Sequence, residues 1–181
     1  MRVGLLLVWF LLVLQGFSQT PTTPSSNLTF SDTYCDRTNL TFTRGNGTAR
    51  IVVFSESSAL TNLPQNNNFY LANDTFGNGH SFGTGQYVVY NGSGSSVFVR
   101  NLKKNTTYYV SVFEYNGSGT VFNYLTNNYP EAQVTTEWIT ASFTIDDPYQ
   151  CENVDSFNFT SSVTQSGSAT INYAWRFGDG N

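Results

Sequence analysis

Histidine, methionine and cysteine are almost missing from this chain: its 181 residues hold one His, one Met and two Cys. Without a CxxC pair or a Cys/His cluster, no metal site can be assembled from the usual ligand spacings. The one histidine, His80, lies in a Gly/Asn-rich segment and reads as a surface residue of it. No serine stands in a Gly-x-Ser-x-Gly elbow that opens a helix, so no catalytic residue is assigned. Charge is scarce as well, at 11% of residues with a net charge of -4. The eight Lys and Arg are scattered, which excludes a basic face for nucleic acid or an anionic membrane. Asp146, Asp147, Asp155 and Asp179 are spread without a calcium-binding loop and read as turn and surface residues. No cofactor and no metal are expected.

An apolar run does occur at the start. Arg2 precedes Leu5 to Leu14, and small Gly16 and Ser18 follow, the pattern of a cleaved signal peptide over residues 1–18. That run is too short to span a bilayer, which takes about 20 apolar residues. A secreted or cell-surface product beginning at Gln19 is expected, with no membrane insertion after cleavage. Export also frames the two cysteines. Cys35 and Cys151 fall in different units, so two separate buried thiols are expected; a disulfide would have to bridge the boundary between them.

Aromatics, by contrast, are abundant at 16%, and Asn, Thr, Ser and Gly fill the rest. After a Pro/Thr/Ser spacer at 19–26 the chain alternates short apolar runs with Asn/Gly turns, an all-β pattern without sustained helical periodicity. Strands are expected at 27–31, 39–43, 49–55, 86–90, 96–102, 107–115 and 131–136, a seven-stranded sandwich count. Reversals are expected at Gly45-Asn46-Gly47, Asn91 to Gly94 and Asn116 to Gly119. Residues 56–85 form an insertion between two strands. In the sixth strand Tyr108, Val110 and Val112 face the core, leaving Tyr109, Phe113 and Tyr115 outward. Those three aromatics either contact a ligand, such as a sugar or an aromatic-rich partner, or lie beneath Leu63, Phe69, Tyr70, Leu71 and Phe76 of the insertion. Asn-x-Ser/Thr triplets stand at Asn27, Asn39, Asn46, Asn73, Asn91, Asn105, Asn116 and Asn158, of which the turn residues Asn46, Asn91 and Asn116 would be natural glycan acceptors.

The phrase Leu102-Lys103-Lys104-Asn105-Thr106-Thr107-Tyr108 resembles the opening of strand F in fibronectin type III domains, and "RGNGTARIVVFSE", "GTGQYVVYNG" and "TYYVSVFEYNGSG" are similar to phrases of such modules in secreted bacterial multidomain proteins. The resemblance covers 27–136 and implies an immunoglobulin-like sandwich with Tyr108 as a corner tyrosine. Phe42 stands where that family usually has Trp, and Lys104 where it usually has Pro. A linker at 137–140 follows, with Trp138 as a plug between modules. The phrases "SFTIDDPYQCENVDSFNFTSS" and "INYAWRFGDGN" over 141–181 resemble the first half of a polycystic kidney disease (PKD) domain, a second and incomplete β-sandwich. The resemblance gives Trp175 a core role and Phe177, Gly178, Asp179 and Gly180 a tight turn. Together these resemblances imply a non-catalytic spacer or adhesion module of a larger exported surface protein. Its partners would be other domains of the same longer chain, and surface glycans or proteins. The alternatives are an accessory region of a secreted hydrolase, or a carbohydrate-binding module using Tyr109, Phe113 and Tyr115.

Overall fold

The computed structural model describes residues 19–145, 159–167, 170–172 and 174. The signal segment, Cys151, Asp146, Asp147, Asp155, Trp175, Phe177, Gly178, Asp179 and Gly180 lie outside the described residues.

Among the described residues eleven strands follow one another: β1 (Ser26–Ser31), β2 (Arg37–Thr43), β3 (Ala49–Glu56), β4 (Ser81–Gly83), β5 (Gln86–Gly92), β6 (Ser96–Arg100), β7 (Thr107–Ser118), β8 (Val121–Tyr124), β9 (Glu131–Thr135), β10 (Ile139–Ile145) and β11 (Phe159–Gln165). The seven expected strands are β1, β2, β3, β5, β6, β7 and β9. They form two antiparallel sheets, β1-β2-β6 and β5-β3-β7-β9, which is the strand order of a fibronectin type III sandwich. Alternation builds the layer between the sheets: Leu40 and Phe42 of β2 and Val97 and Val99 of β6 meet Val52 and Phe54 of β3 and Tyr108, Val110 and Val112 of β7. Phe42 fills the expected tryptophan position as a buried core ring.

Several boundaries differ from expectation: β2 begins at Arg37 and β5 runs on to Gly92. Strand β6 stops at Arg100 because Asn101 takes φ 62, left-handed backbone that a strand cannot continue through. Strand β7 runs on through Asn116 and Gly117 to Ser118, and the reversal is Gly119-Thr120, with Gly119 at φ 63. The far half of β7 thereby gains a partner, β8, while its near half pairs with β9. The expected linker is shorter too, since Ile139 and Thr140 already pair with Gln165 and Thr164 in the β10-β11 hairpin. Trp138 is half-buried, and its backbone exchanges hydrogen bonds with Ser166.

Strand β3 is buried on both faces over Arg50 to Ser55. A fibronectin-like sheet open to water on its outer side would not do this, so something covers the second face.

Candidate functional site

The cover is the insertion. On the outer face of β3, β5 and β7, Ile51, Val53, Val88, Phe113 and Tyr115 form a second apolar layer with Phe122 and Tyr124 of β8 and with Tyr70 from the insertion. Hydrogen bonds fix the cover in place. The Tyr115 hydroxyl donates to Asn91 Oδ1 at 2.7 Å, and Asn91 Nδ2 donates to the Tyr70 carbonyl at 2.8 Å. The Tyr124 hydroxyl donates to the Asn68 carbonyl, and Asn67 N to the Phe122 carbonyl. Burial holds the Tyr115 phenol above its ordinary pKa, with the Arg50 charge pulling it part of the way back, and burial does the same to Tyr124 more strongly. The outward stripe is therefore not a ligand platform: Phe113 and Tyr115 are interior residues, and only Tyr109 is half-exposed. Among the covering residues, Tyr70 is on this layer, Phe76 joins the inter-sheet core against Tyr108, and Leu63, Phe69 and Leu71 stay in water. The signal in the sequence was the unbroken apolar run Ile51-Val52-Val53-Phe54, which does not alternate because neither side is polar.

Outside this layer the insertion forms a groove of about 420 Å³, lined by Asn62, Leu63, Gln65, Asn68, Phe69, Tyr70, His80, Ser81 and Phe82. Tyr70 packs at 4.8 Å from both His80 and Phe82, which makes an aromatic floor. Gly79-His80-Ser81-Phe82-Gly83 spells the letters of a nucleophile elbow, but Ser81 opens strand β4 rather than a helix. Its hydroxyl donates to the Gly83 carbonyl at 2.8 Å and accepts from Gly83 N.

A buried ion pair that sequence reading passed over closes one end of the sandwich. Arg50 and Glu114 are directly opposite in the β3-β7 register, both on the inter-sheet side, and both 1% exposed. Glu114 accepts from Arg50 Nε at 3.1 Å and Nη2 at 3.0 Å, from Gly45 N and Gly47 N, and from Ser25 Oγ at 2.5 Å. Arg50 also donates to the Ser93, Gly94 and Gly47 carbonyls. One carboxylate thus ties together the segment before β1, the β2-β3 turn and β7, while its guanidinium partner holds the β5-β6 turn. A charge on the inward parity of two apolar strands was the available sign, since such a charge must be paired.

At the other end, Lys103 N donates to the Tyr108 hydroxyl at 2.8 Å, the tie the resemblance implies. The exposed Lys103 ammonium meets Glu56 Oε1 at 2.6 Å, and that hydrogen bond raises its pKa. The pair borders a recess of about 600 Å³ with Phe76, Tyr87 and Asn101, where the two charges satisfy one another. The three turn asparagines also hold backbone in place. Asn46 caps Thr22 N and Thr23 N, Asn91 clamps the insertion, and Asn116 joins Thr48 N to the Gln19 carbonyl, so all three amides are engaged. Cys35 is a free thiol, half-exposed rather than buried, because it lies on the loop between β1 and β2.

No protein-family model matches the chain, and no curated protein does. Among solved structures it is similar to the fibronectin type III domain of human collagen XX, at 19% identity over 66% of this chain and 96% of that one, with a TM-score of 0.39. It is likewise similar to a β-sandwich protein from a computer-based redesign, at 15% identity, 65% and 96% coverage and a TM-score of 0.39.

Proposed function

We propose that this protein is a non-catalytic, load-bearing spacer or adhesion module of an exported, multidomain bacterial surface protein, in which the PKD-like phrases of 141–181 belong to the next module. One observation carries the spacer reading: the chain enters and leaves the sandwich at opposite ends of β7, bonded at entry to β7 itself and at exit to the residues that lead into it. Where it enters, Asn116 Nδ2 donates to the Gln19 carbonyl and Ser25 Oγ to Glu114. Where it leaves, Thr136 N donates to the Thr106 carbonyl and Thr136 Oγ1 to the Lys103 carbonyl. Thr107 and Asn116 are roughly 30 Å apart along the strand at about 3.4 Å per residue. Tension between the two points runs along the strands and shears many hydrogen bonds together instead of opening them one by one.

Pulling the mature chain between Gln19 and its C-terminus in an optical trap is expected to give one abrupt lengthening that accounts for residues 19–137. Gradual extension at low force would refute the load-bearing reading. Export rests on the leader pattern, and N-terminal sequencing of secreted protein is expected to begin at Gln19. Recovery of Met1 on exported chain would exclude cleavage there.

A further inference from the structure

The groove on the insertion goes beyond a spacer. Its floor, Tyr70 and Phe82, belongs to the cover of the sheet, but its exposed rim adds nothing to that cover, which Tyr70, Phe122 and Tyr124 complete. Yet Phe69 leans on Phe122 at 5.6 Å while remaining 55% exposed, an aromatic ring held in water by a folded support. Around it are polar groups that the described residues leave unused. Asn62 spends its amide nitrogen on the Phe82 carbonyl at 2.7 Å, which fixes the side chain and leaves Oδ1 free. The Gln65 backbone donates to the Tyr70 hydroxyl, which anchors that residue while its amide nitrogen stays free. The Asn68 carbonyl is held by Tyr124 and its amide reaches toward Gln65. The His80 backbone is bonded on both sides, to Leu71 and Val88, so its ring stands in a fixed place beside Tyr70 and Phe82.

The chemistry of this lining selects a class of ligand. Among the described residues no Asp, Glu, Lys or Arg lines the groove, so a charged ligand would lose water without gaining a counter-charge there. Carboxamides both donate and accept, and hydroxyl groups do the same. An aromatic face attracts weakly positive C–H bonds. About 420 Å³ lies in the range of small-molecule sites, roughly 300–1,000 Å³. We propose that the groove binds an uncharged saccharide, one pyranose face stacked on Phe69 and its hydroxyls bonded by Asn62, Gln65, Asn68 and His80. This differs from the sheet-face stripe of Tyr109, Phe113 and Tyr115, and it does not depend on the load-bearing reading.

The test uses the mature full chain on an array of neutral, uronate-containing and sulfated oligosaccharides, followed by calorimetric titration of the best neutral one. Phe69→Ala and Gln65→Ala alter a solvent-exposed ring and an exposed side chain whose only bond among the described residues is a long one from Asn68. Each is expected to weaken binding about tenfold or more, as loss of a central contact does, with an unchanged melting temperature. Leu71→Ser, on an exposed residue outside the groove, is expected to leave affinity within about twofold. Absence of binding to any neutral glycan, a preference for the charged glycans, or neutral binding that Phe69→Ala leaves intact would each overturn the proposal.

Discussion

Glu114 and Arg50 illustrate how one residue pair can decide a local structure. A buried pair is not a strong stabiliser in itself, because desolvation offsets most of its attraction, but removing one member leaves the other charge stranded. Here the stranded partner would be Arg50, and Gly45 N, Gly47 N and Ser25 Oγ would lose their common acceptor. Glu114→Ala is therefore expected to destabilise the sandwich by about 3–5 kcal/mol, read as a lower urea midpoint. The double replacement Arg50→Met, Glu114→Leu is expected to recover part of that loss. If Glu114→Ala shifts the midpoint by less than the equivalent of about 1 kcal/mol, the pair is not the anchor described.

At the scale of elements, the insertion between β3 and β5 works as a lid in which Tyr70 is the central side chain. Tyr70 contributes its ring to Phe82, Tyr124 and His80, and its hydroxyl to Gln65 N. Tyr70→Ala is expected to cost about 3–5 kcal/mol, as large aromatic truncations in cores do. Amide exchange should accelerate across 61–83 and at Phe113 and Tyr115, while the β1-β2-β6 sheet keeps its protection. Uniform acceleration over both sheets would show instead that the lid and the sandwich open as one unit. The same elements show what sequence could reveal. Core strands were legible because Tyr108-Val110-Val112 and Val97-Val99 alternate cleanly. The lid was legible only as a possibility: its residues have no period, since irregular backbone places side chains by hydrogen bonds such as Asn91 to Tyr70 that leave no pattern in composition. Strand β4 is three residues long and β8 four, too short for alternation to register. The groove was not legible at all, because its lining comes from two segments, 62–70 and 80–82, joined only by the fold.

For the whole molecule, the abundance of tyrosine combined with burial sets the response to alkali. Tyr108, Tyr115, Tyr124 and Tyr129 all have phenols raised above their ordinary pKa of 10.0, in each case chiefly by burial. Tyr115 and Tyr124 donate to oxygen acceptors, as a neutral hydroxyl does, whereas Tyr108 accepts from Lys103 N, which pulls its pKa part of the way back against burial. In the unfolded chain these phenols would lose their protons near pH 10, while in the folded chain they keep them. Above that pH the native state binds more protons than the unfolded state, so stability falls as pH rises. Below it both states are protonated, and the contribution is fully present. The urea midpoint should therefore be insensitive to these groups below about pH 9 and drop progressively above about pH 10. Tyrosinate absorbance should include a late rise from the raised phenols of Tyr108, Tyr115, Tyr124 and Tyr129, together with loss of structure. A single smooth titration of all tyrosines with the far-ultraviolet signal intact would mean that the two apolar layers admit charge without opening, contrary to the packing described.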